Sequence, residues 1–283
     1  MFFESELKKR VQLVDDFIHA YFASLDLPQS TAVAELKGSM FYSASAGGKR
    51  FRPVLSLLVG EAVGGAAADI LPFACAVEFV HTYSLIHDDL PCMDDDDFRR
   101  GKATNHKVYG ETTALLAGDA LLTEAFLLVA ENYQGQGRLS AQLCALLSRA
   151  AGIRGMVGGQ AIDLQAKDLS LDDLTNLHEL KTGRMIQVAA EGAALIGCSD
   201  ALKIQNFTSF GRYLGLAFQI ADDVLDQNDK DQGPRSFVTL LGIEGTQRYL
   251  AEVSEKAMDI LRHLPQRSAI LEQMIEFNLH RQL

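Results

Sequence analysis

The sequence of 283 residues contains no tryptophan, only six prolines and only four cysteines. Several of the prolines mark the starts or ends of helical segments, because proline does not fit a helix interior. The cysteines lie far apart and form no pair of the metal-binding type; they are Cys75, Cys92, Cys144 and Cys198. Scattered cysteines of this kind are typical of reduced core residues, so we expect a cytoplasmic protein.

Basic residues are also scarce, since 26 Lys and Arg face 37 Asp and Glu and the net charge is −11. Binding to nucleic acid needs a basic face for the phosphates, so we expect no nucleic-acid partner. Apolar runs stay below the roughly 18 residues that a membrane span requires. The start, MFFESELKKR, has acidic residues where a secretory signal places an apolar core. We therefore expect neither a membrane span nor export.

Helical periodicity dominates the rest of the chain. LKKRVQLVDDFIHAYFASL has apolar residues at helical spacing, whereas LLAGDALLTEAFLLVAENY is apolar or small on nearly every face, as in a buried bundle helix. Ser170 precedes Asp172 and Asp173 and is a predicted N-cap. No hairpin signal between apolar runs, linker or repeat is present. The sequence predicts one all-α domain of ten or more helices.

Two nucleotide-binding motifs can be excluded. SASAGGKR ends in Gly-Lys, but a P-loop would need glycine at position 43 and Ser or Thr at position 50. The chain has Ser43 and Arg50 there. GMVGGQ does not match G-x-G-x-x-G and follows no strand.

A dense block of aspartates ends an apolar segment at IHDDLPCMDDDDFRRG, from Ile86 to Gly101. In an ideal helix Asp88 and Asp94 would lie about 240° apart around the axis. Pro91 disrupts the helix after Asp89, which allows Asp94 to turn back toward Asp88.

A second block, FQIADDVLDQND, places Asp222 and Asp226 on one face of a helix with Asp223 between them. Each block alone also fits a solvated helix end. Carboxylates held close together repel one another, so the pair of blocks indicates a bound cation or raised pKa values. All-oxygen ligands without a His or Cys pattern favour Mg²⁺ that shares its coordination with phosphates.

Cationic residues accompany the first block and stand far upstream in SAGGKRFRP; they are Lys49, Arg50, Arg52, Arg99 and Arg100. His81 lies two helical turns before Asp88. Taken alone, His81 is more simply interpreted as a core histidine, and Arg99 and Arg100 as a surface patch. Two acidic and two basic clusters suit two diphosphates, one on metals and one on Arg and Lys side chains.

These motifs together resemble the trans-isoprenyl diphosphate synthases, most closely the bacterial branch that makes farnesyl diphosphate. GGKRFRP, EFVHTYSLIHDDLPCMDDDDFRRGKATNHKVYGETTALLAGDALLTEAF, GMVGGQAIDL, HELKTG and FQIADDVLD stand in the family order over nearly the whole chain. The resemblance implies a single polyprenyl synthetase domain over residues 1–283. It also implies the isoprenoid-synthase helical bundle around a central cavity, usually as a homodimer.

The implied reaction joins isopentenyl diphosphate head-to-tail to dimethylallyl diphosphate and geranyl diphosphate, and gives farnesyl diphosphate. The resemblance implies about three Mg²⁺ ions that assist ionisation to an allylic cation. The implied ligands of these ions are Asp88, Asp89, Asp94, Asp222, Asp223 and Asp226. All of them except Asp226 are also counted among the implied catalytic residues. KTG places Thr and Gly in a helix, where a kink would free a carbonyl to face the cation.

The resemblance also assigns substrate contacts. Arg99 and Lys181 would touch the allylic diphosphate, and the isopentenyl diphosphate site would consist of Lys49, Arg52, His81 and Arg100. Thr182 and Gln219 would face the allylic cation, and these two and Lys181 complete the implied catalytic set. Tyr83 lies five residues before Asp88, about 7.5 Å down a helix, where its ring would limit the length of the product.

The chain departs from the family pattern in QNDKDQGPRSFVT, from Gln227 to Thr239. The segment is short, Phe237 replaces a tyrosine, Val238 replaces a proline, and the lysine pair is missing. Gly233 and Pro234 predict a turn there. Lys230 or Arg235 is the predicted substitute cation, and we expect weak binding of the allylic primer.

Three other interpretations share part of the pattern. A terpene cyclase would lack the second basic site and would carry Asn, Ser and Glu in its second motif. A non-catalytic partner subunit would have lost one acidic motif, and both are intact. A synthase of geranylgeranyl or longer products remains open as the main alternative.

Overall fold

The computed structural model describes residues 2–165, 167–198, 200–226, 236–264 and 268–280. Over these ranges the chain is almost entirely helical, which confirms the predicted all-α class. The thirteen α-helices of the described part are α1 Phe2–Ser24, α2 Thr31–Ala44, α3 Phe51–Ala62, α4 Ala67–Asp88, α5 Asn105–Tyr109, α6 Glu111–Asn132, α7 Gly137–Ala151, α8 Met156–Gln165, α9 Leu171–His178, α10 Arg184–Gly197, α11 Ala201–Leu225, α12 Phe237–Arg262 and α13 Ala269–Leu279.

The chain forms two compact units, and the first consists of Met1–Leu57 and Leu71–Cys144. Within it, α1 buries Val14, Ile18 and Phe22 at the four-residue spacing of one helix face. The ring centroid of Phe22 lies 5.4 Å from that of Phe41 and 5.8 Å from that of Phe79. This aromatic cluster joins α1, α2 and α4, the last of which carries the first aspartates at its end.

A short hairpin follows the first aspartate block and was not predicted from the sequence. Strands β1 (Phe98–Arg99) and β2 (Lys102–Ala103) pair antiparallel. Both residues of the connecting turn have left-handed backbone, with φ of 52° at Arg100 and 74° at Gly101. Positive φ at both positions is the geometry of a type I′ turn, which glycine and asparagine normally occupy. The sequence did not predict the turn because Arg100 occupies its first position.

The second unit consists of Leu58–Ile70 and Ala145–Leu283. Its core includes Leu216, Ile220 and Phe237, all buried. Gly211 allows α11 to approach α10 closely, because a Cβ there would lie 2.9 Å from the Ala190 side chain. At the start of α9, the Ser170 hydroxyl accepts a hydrogen bond from the Asp173 amide, which confirms the predicted N-cap.

Two of the described helices, Ala67–Asp88 and Glu111–Asn132, are long and apolar enough to cross a membrane by length and composition. The apolar window of the first is 72% buried in the protein, which is typical of a core helix. The window of the second is 39% buried, so much of its apolar surface lies outside. The absence of a membrane span, the single domain over residues 1–283 and the central cavity stay predictions.

Candidate active site

The backbone after α4 brings the first aspartate block together. Helix α4 ends at Asp88, and the amide of Asp94 donates a hydrogen bond to the carbonyl oxygen of Asp88 at 2.8 Å. The amide of Asp95, whose φ is 53°, donates to the Leu90 carbonyl at 3.2 Å. The chain therefore turns back at Pro91, and the predicted return of Asp94 toward Asp88 is confirmed.

The three aspartates of this block have different surroundings. Asp94 is exposed and Asp88 is half-buried, whereas Asp89 is buried. The Asp89 carboxylate accepts a 2.6 Å hydrogen bond from Nε of Arg99, ten residues along the chain. Burial raises the pKa of Asp89, and the Arg99 guanidinium opposes that shift. Asp89 thus orients Arg99, one of the two side chains expected on the allylic diphosphate.

Two basic clusters that are distant in sequence meet in the first unit. Nη1 of Arg100 donates to the carbonyl oxygen of Gly47, in the loop before α3. Gly48 has φ of 115°, and a Cβ there would lie 2.7 Å from the Arg100 guanidinium carbon. Lys49 is exposed beside this contact, and Arg52 is half-buried in the first turn of α3.

His81 lies in this basic environment. Burial and the nearby charges of Arg52 and Arg100 lower the pKa of His81 well below its usual value. The imidazole is therefore neutral near pH 7 and offers one donor and one acceptor. Proximity to these arginines is what the diphosphate interpretation requires and what an isolated core histidine would lack.

Tyr83 is buried below the aspartates of α4. Only 6% of the residue is exposed, and its ring meets that of His87 edge-on at 5.7 Å between centroids. Burial, and secondarily the charge of Asp88, raise the pKa of the Tyr83 phenol. The side chain therefore lies within electrostatic range of the first aspartate block.

In the second unit, Asp223 serves the fold as well as the site. Its Oδ2 accepts a 2.7 Å hydrogen bond from the amide of Phe237, the first residue of α12. Its Oδ1 lies 3.5 Å from Nε2 of Gln219. Burial raises the pKa of Asp223 to about 6, and the Phe237 amide opposes that shift. The carboxylate therefore connects the end of α11 to the start of α12.

Phe237, which replaces the family tyrosine, belongs to the core of the second unit. It is fully buried, and the centroid of its ring lies 5.2 Å from that of His178 and 5.6 Å from that of Tyr249. The neighbouring predictions for Lys230, Arg235 and the Gly233–Pro234 turn lie outside the described residues.

The HELKTG segment contains the predicted irregularity. Residues Glu179–Gly183 form a π-helix, and the Arg184 amide donates to the Glu179 carbonyl five residues earlier. A π-bulge in an α-helical run is frequent at functional sites. The half-buried Thr182 lies within this segment. The irregularity at KTG thus takes the form of a π-helical segment, and the free carbonyl stays a prediction.

Lys181, in the same segment, is held by a residue that was not predicted. Its Nζ lies 2.6 Å from Oδ2 of Asp163 on α8. Gly159 allows this approach, since a Cβ there would lie 2.4 Å from the Lys181 amide nitrogen. The only sequence signal for Asp163 was that it is the single carboxylate in GMVGGQAIDL, a run of otherwise small and apolar residues and one glutamine.

Each aspartate block also contains an exposed carboxylate that suits a metal ligand. The Asp89 and Asp223 carboxylates accept hydrogen bonds from protein donors, whereas Asp94 and Asp226 are exposed. The Asp226 amide donates a hydrogen bond to the Asp222 carbonyl at the end of α11. Among the described residues, no group of three His, Cys, Asp or Glu side chains forms a metal cage. Incomplete oxygen ligand sets fit Mg²⁺, which keeps waters and binds substrate phosphates at the same time.

Comparison with known proteins extends over nearly the whole chain. The family model for polyprenyl synthetase matches residues 33–234. The farnesyl diphosphate synthase of Geobacillus stearothermophilus is 42% identical over 289 residues, which cover 96% of each chain. A chloroplastic geranylgeranyl pyrophosphate synthase of Capsicum annuum is 38% identical, with 82% of this chain and 67% of that protein covered. The crystal structure of an FPP/GFPP synthase from Zymomonas mobilis matches with a TM-score of 0.87 at 34% identity, and covers 96% of this chain and 98% of that one.

Proposed function

This chain belongs to the polyprenyl synthetase family and is a transferase, and from that membership we propose that it makes farnesyl diphosphate. It condenses isopentenyl diphosphate head-to-tail with dimethylallyl diphosphate and then with geranyl diphosphate. The observation that carries this proposal is the turn that returns Asp94 to Asp88, beside a basic cluster suited to a second diphosphate.

The acidic and basic groups divide the binding of two diphosphates. We assign the Mg²⁺ ligands to the two aspartate blocks, with Asp88, Asp89 and Asp94 in the first and Asp222, Asp223 and Asp226 in the second; the exposure of Asp94 and Asp226 supports this assignment. When bound, Mg²⁺ neutralises the allylic diphosphate and makes it a better leaving group. Arg99 and Lys181 add charge-assisted hydrogen bonds to that diphosphate, and Asp163 holds the lysine ready.

The basic cluster of the first unit takes isopentenyl diphosphate. Lys49, Arg52 and Arg100 supply the positive charge, and His81 supplies a hydrogen bond. This group contains no carboxylate that needs a metal. The second diphosphate is therefore bound directly by side chains.

Ionisation breaks the C–O bond of the allylic diphosphate and leaves an allylic cation. Dipoles of the π-helical segment, the Thr182 hydroxyl and the Gln219 amide stabilise that cation without reacting with it. The double bond of isopentenyl diphosphate then forms the new C–C bond, and a proton leaves the neighbouring carbon. The departing diphosphate accepts this proton.

The test is incubation of the protein with labelled isopentenyl diphosphate and each allylic primer, followed by chain-length analysis of the products. Farnesyl diphosphate as the main product from both dimethylallyl and geranyl diphosphate supports the proposal. No condensation with any primer contradicts it. Products of twenty or more carbons favour the second candidate, a longer-chain synthase, which the similarity to a geranylgeranyl pyrophosphate synthase supports.

We also propose that the protein is a cytoplasmic homodimer. Support for the dimer comes from exposed leucines on α6: Leu115, Leu116 and Leu127 are 47%, 49% and 44% exposed. Leu116 and Leu127 are only about 20° apart around the helix, so they share one face. A second copy that covers this face would bury the leucine side chains, and burial of apolar surface stabilises an interface. The mass of the native particle in solution, compared with that of a Leu116→Asp, Leu127→Asp variant, tests the proposal; a monomeric native protein would contradict it.

A further inference from the structure

Arg50, which follows the loop of residues 45–49, is buried although its neighbour Lys49 is exposed. Arg50 is 3% exposed, and each of its three guanidinium nitrogens donates a hydrogen bond. Nε binds the Asp15 carboxylate on α1 at 2.9 Å, and Nη1 binds the Glu78 carboxylate on α4 at 2.8 Å. Nη2 binds the carbonyl oxygen of Ala44, the last residue of α2, at 2.7 Å. The side chain thus connects three helices, and all three of its nitrogens are bonded within the protein.

The backbone of Arg50 is equally constrained. Its φ of 45° lies in the left-handed region, which is uncommon for a residue other than glycine. Its carbonyl oxygen accepts the hydrogen bond of the Val54 amide, so it starts α3. Such a conformation persists only where the surroundings enforce it. Arg50 therefore determines the point at which the loop ends and the helix bearing Arg52 begins.

We propose that Arg50, Asp15 and Glu78 form a clasp that positions the loop of residues 45–49 for isopentenyl diphosphate. The clasp holds the end of α2 and the start of α3, and the loop between them carries Lys49 and the Gly47 carbonyl that binds Arg100. Arg50 is a positioning residue and does not touch the substrate. This inference rests on the function proposed above, since it concerns the isopentenyl diphosphate site of that reaction.

Charge and geometry predict opposite effects when the clasp is weakened, which makes the inference testable. Asp15 is bonded to Arg50, which adjoins Lys49 of the proposed diphosphate site, so removal of the Asp15 charge would by itself strengthen diphosphate binding. If Asp15 acts by holding Arg50, its neutralisation loosens the loop and weakens binding. The sign of the change in KM for isopentenyl diphosphate distinguishes the two roles.

The first experiment compares Asp15→Asn with Asp16→Asn in the full-length protein. Both are the same substitution on adjacent residues of α1, but Asp16 is exposed and accepts a hydrogen bond from Gln12. For Asp15→Asn we expect KM for isopentenyl diphosphate to rise by roughly three- to tenfold, with KM for geranyl diphosphate changed less than about twofold. Asp16→Asn should leave both constants at the native value.

The second experiment replaces the centre of the clasp with Arg50→Lys, which keeps the charge but not the three-way hydrogen bonding. We expect a rise in KM for isopentenyl diphosphate of about tenfold to a hundredfold, again without a matching change for the allylic primer. Thermal unfolding identifies variants that do not fold. If Arg50→Lys does not fold, Asp15→Asn still decides, because Asp15 is at the edge of the clasp with a side chain 32% exposed.

The outcomes separate the clasp from the proposed reaction. A lower or unchanged KM for isopentenyl diphosphate in Asp15→Asn overturns the clasp, and so does an equal rise of both constants. Absence of turnover by the native protein overturns the proposed function itself. A selective rise in the isopentenyl diphosphate constant supports both.

Discussion

The amide of Asp94 lies 2.8 Å from the carbonyl oxygen of Asp88, so two aspartates six residues apart are joined by the backbone itself. The turn at Pro91 therefore brings the two ends of the first aspartate block together through the backbone.

Metal dependence is the first prediction. Chelation should abolish condensation, and added Mg²⁺ should restore it, because repelling carboxylates and a diphosphate need a cation between them. Asp88→Asn and Asp222→Asn should each lower kcat by about a hundredfold or more, with little effect on the melting temperature. Asp172→Asn, in the first turn of α9, serves as a control. Full turnover in excess chelator would contradict the metal sites.

A second prediction separates Asp223 from its neighbours. Asp223→Asn keeps an oxygen that can accept from the Phe237 amide, so its stability should stay near that of the native protein. Asp223→Ala leaves the buried amide without its acceptor and should lower the free energy of unfolding by about 1–3 kcal/mol. Denaturant unfolding of both variants measures the difference. Equal stability of the two would show that the contact between Asp223 and Phe237 contributes nothing.

Product length provides a third prediction. Tyr83→Ala removes a buried ring below Asp88 and should extend the product to twenty carbons or more. Tyr83→Phe keeps the ring and should keep the native product, so the pair isolates ring volume from the hydroxyl. Chain-length analysis of the products is the measurement. If Tyr83→Ala makes only the native product, the limit lies elsewhere, and Phe126 or the partner subunit of a dimer is next to test.

The contact between α8 and the π-helical segment provides a fourth. A Cβ at Gly159 would lie 2.4 Å from the Lys181 backbone nitrogen, which cannot move away as a flexible side chain would. Gly159→Ala should therefore destabilise the protein by about 1–3 kcal/mol and raise KM for the allylic primer. Gly135→Ala is the matched control, because a Cβ at Gly135 meets nothing within 4 Å. Native behaviour of Gly159→Ala would contradict the close packing.

The shortened segment from Gln227 to Thr239 provides the fifth. Closure of the site excludes water that would quench the allylic cation, and the family lysines are missing there. Replacement of Lys230 or Arg235 by alanine should selectively raise KM for the allylic primer. Unchanged constants in both variants would leave Lys181 and Arg99 as the side-chain cations proposed for that diphosphate.

Features that depend on neighbours along the chain could be predicted from the sequence. Helical periodicity is a local property, and so are the turn at Pro91, the Ser170 cap and the irregularity at KTG. The local signal failed at the Arg100–Gly101 turn, because an arginine at positive φ is uncommon. There the surrounding contacts, including the bond from Arg100 to the Gly47 carbonyl, prevail over local preference.

The sequence by itself therefore determined the helical class, the aspartate blocks and the chemistry that they serve. Tertiary structure decided which charged groups are engaged by distant parts of the chain and hold the helices together. Arg50 meets Asp15 and Glu78 across 35 and 28 residues, and Lys181 meets Asp163 across 18. Periodicity carries no information on such pairs, because a long side chain finds its partner only after the helices have packed. Arg50 and Lys49 are adjacent in the chain, and only packing buries one and exposes the other.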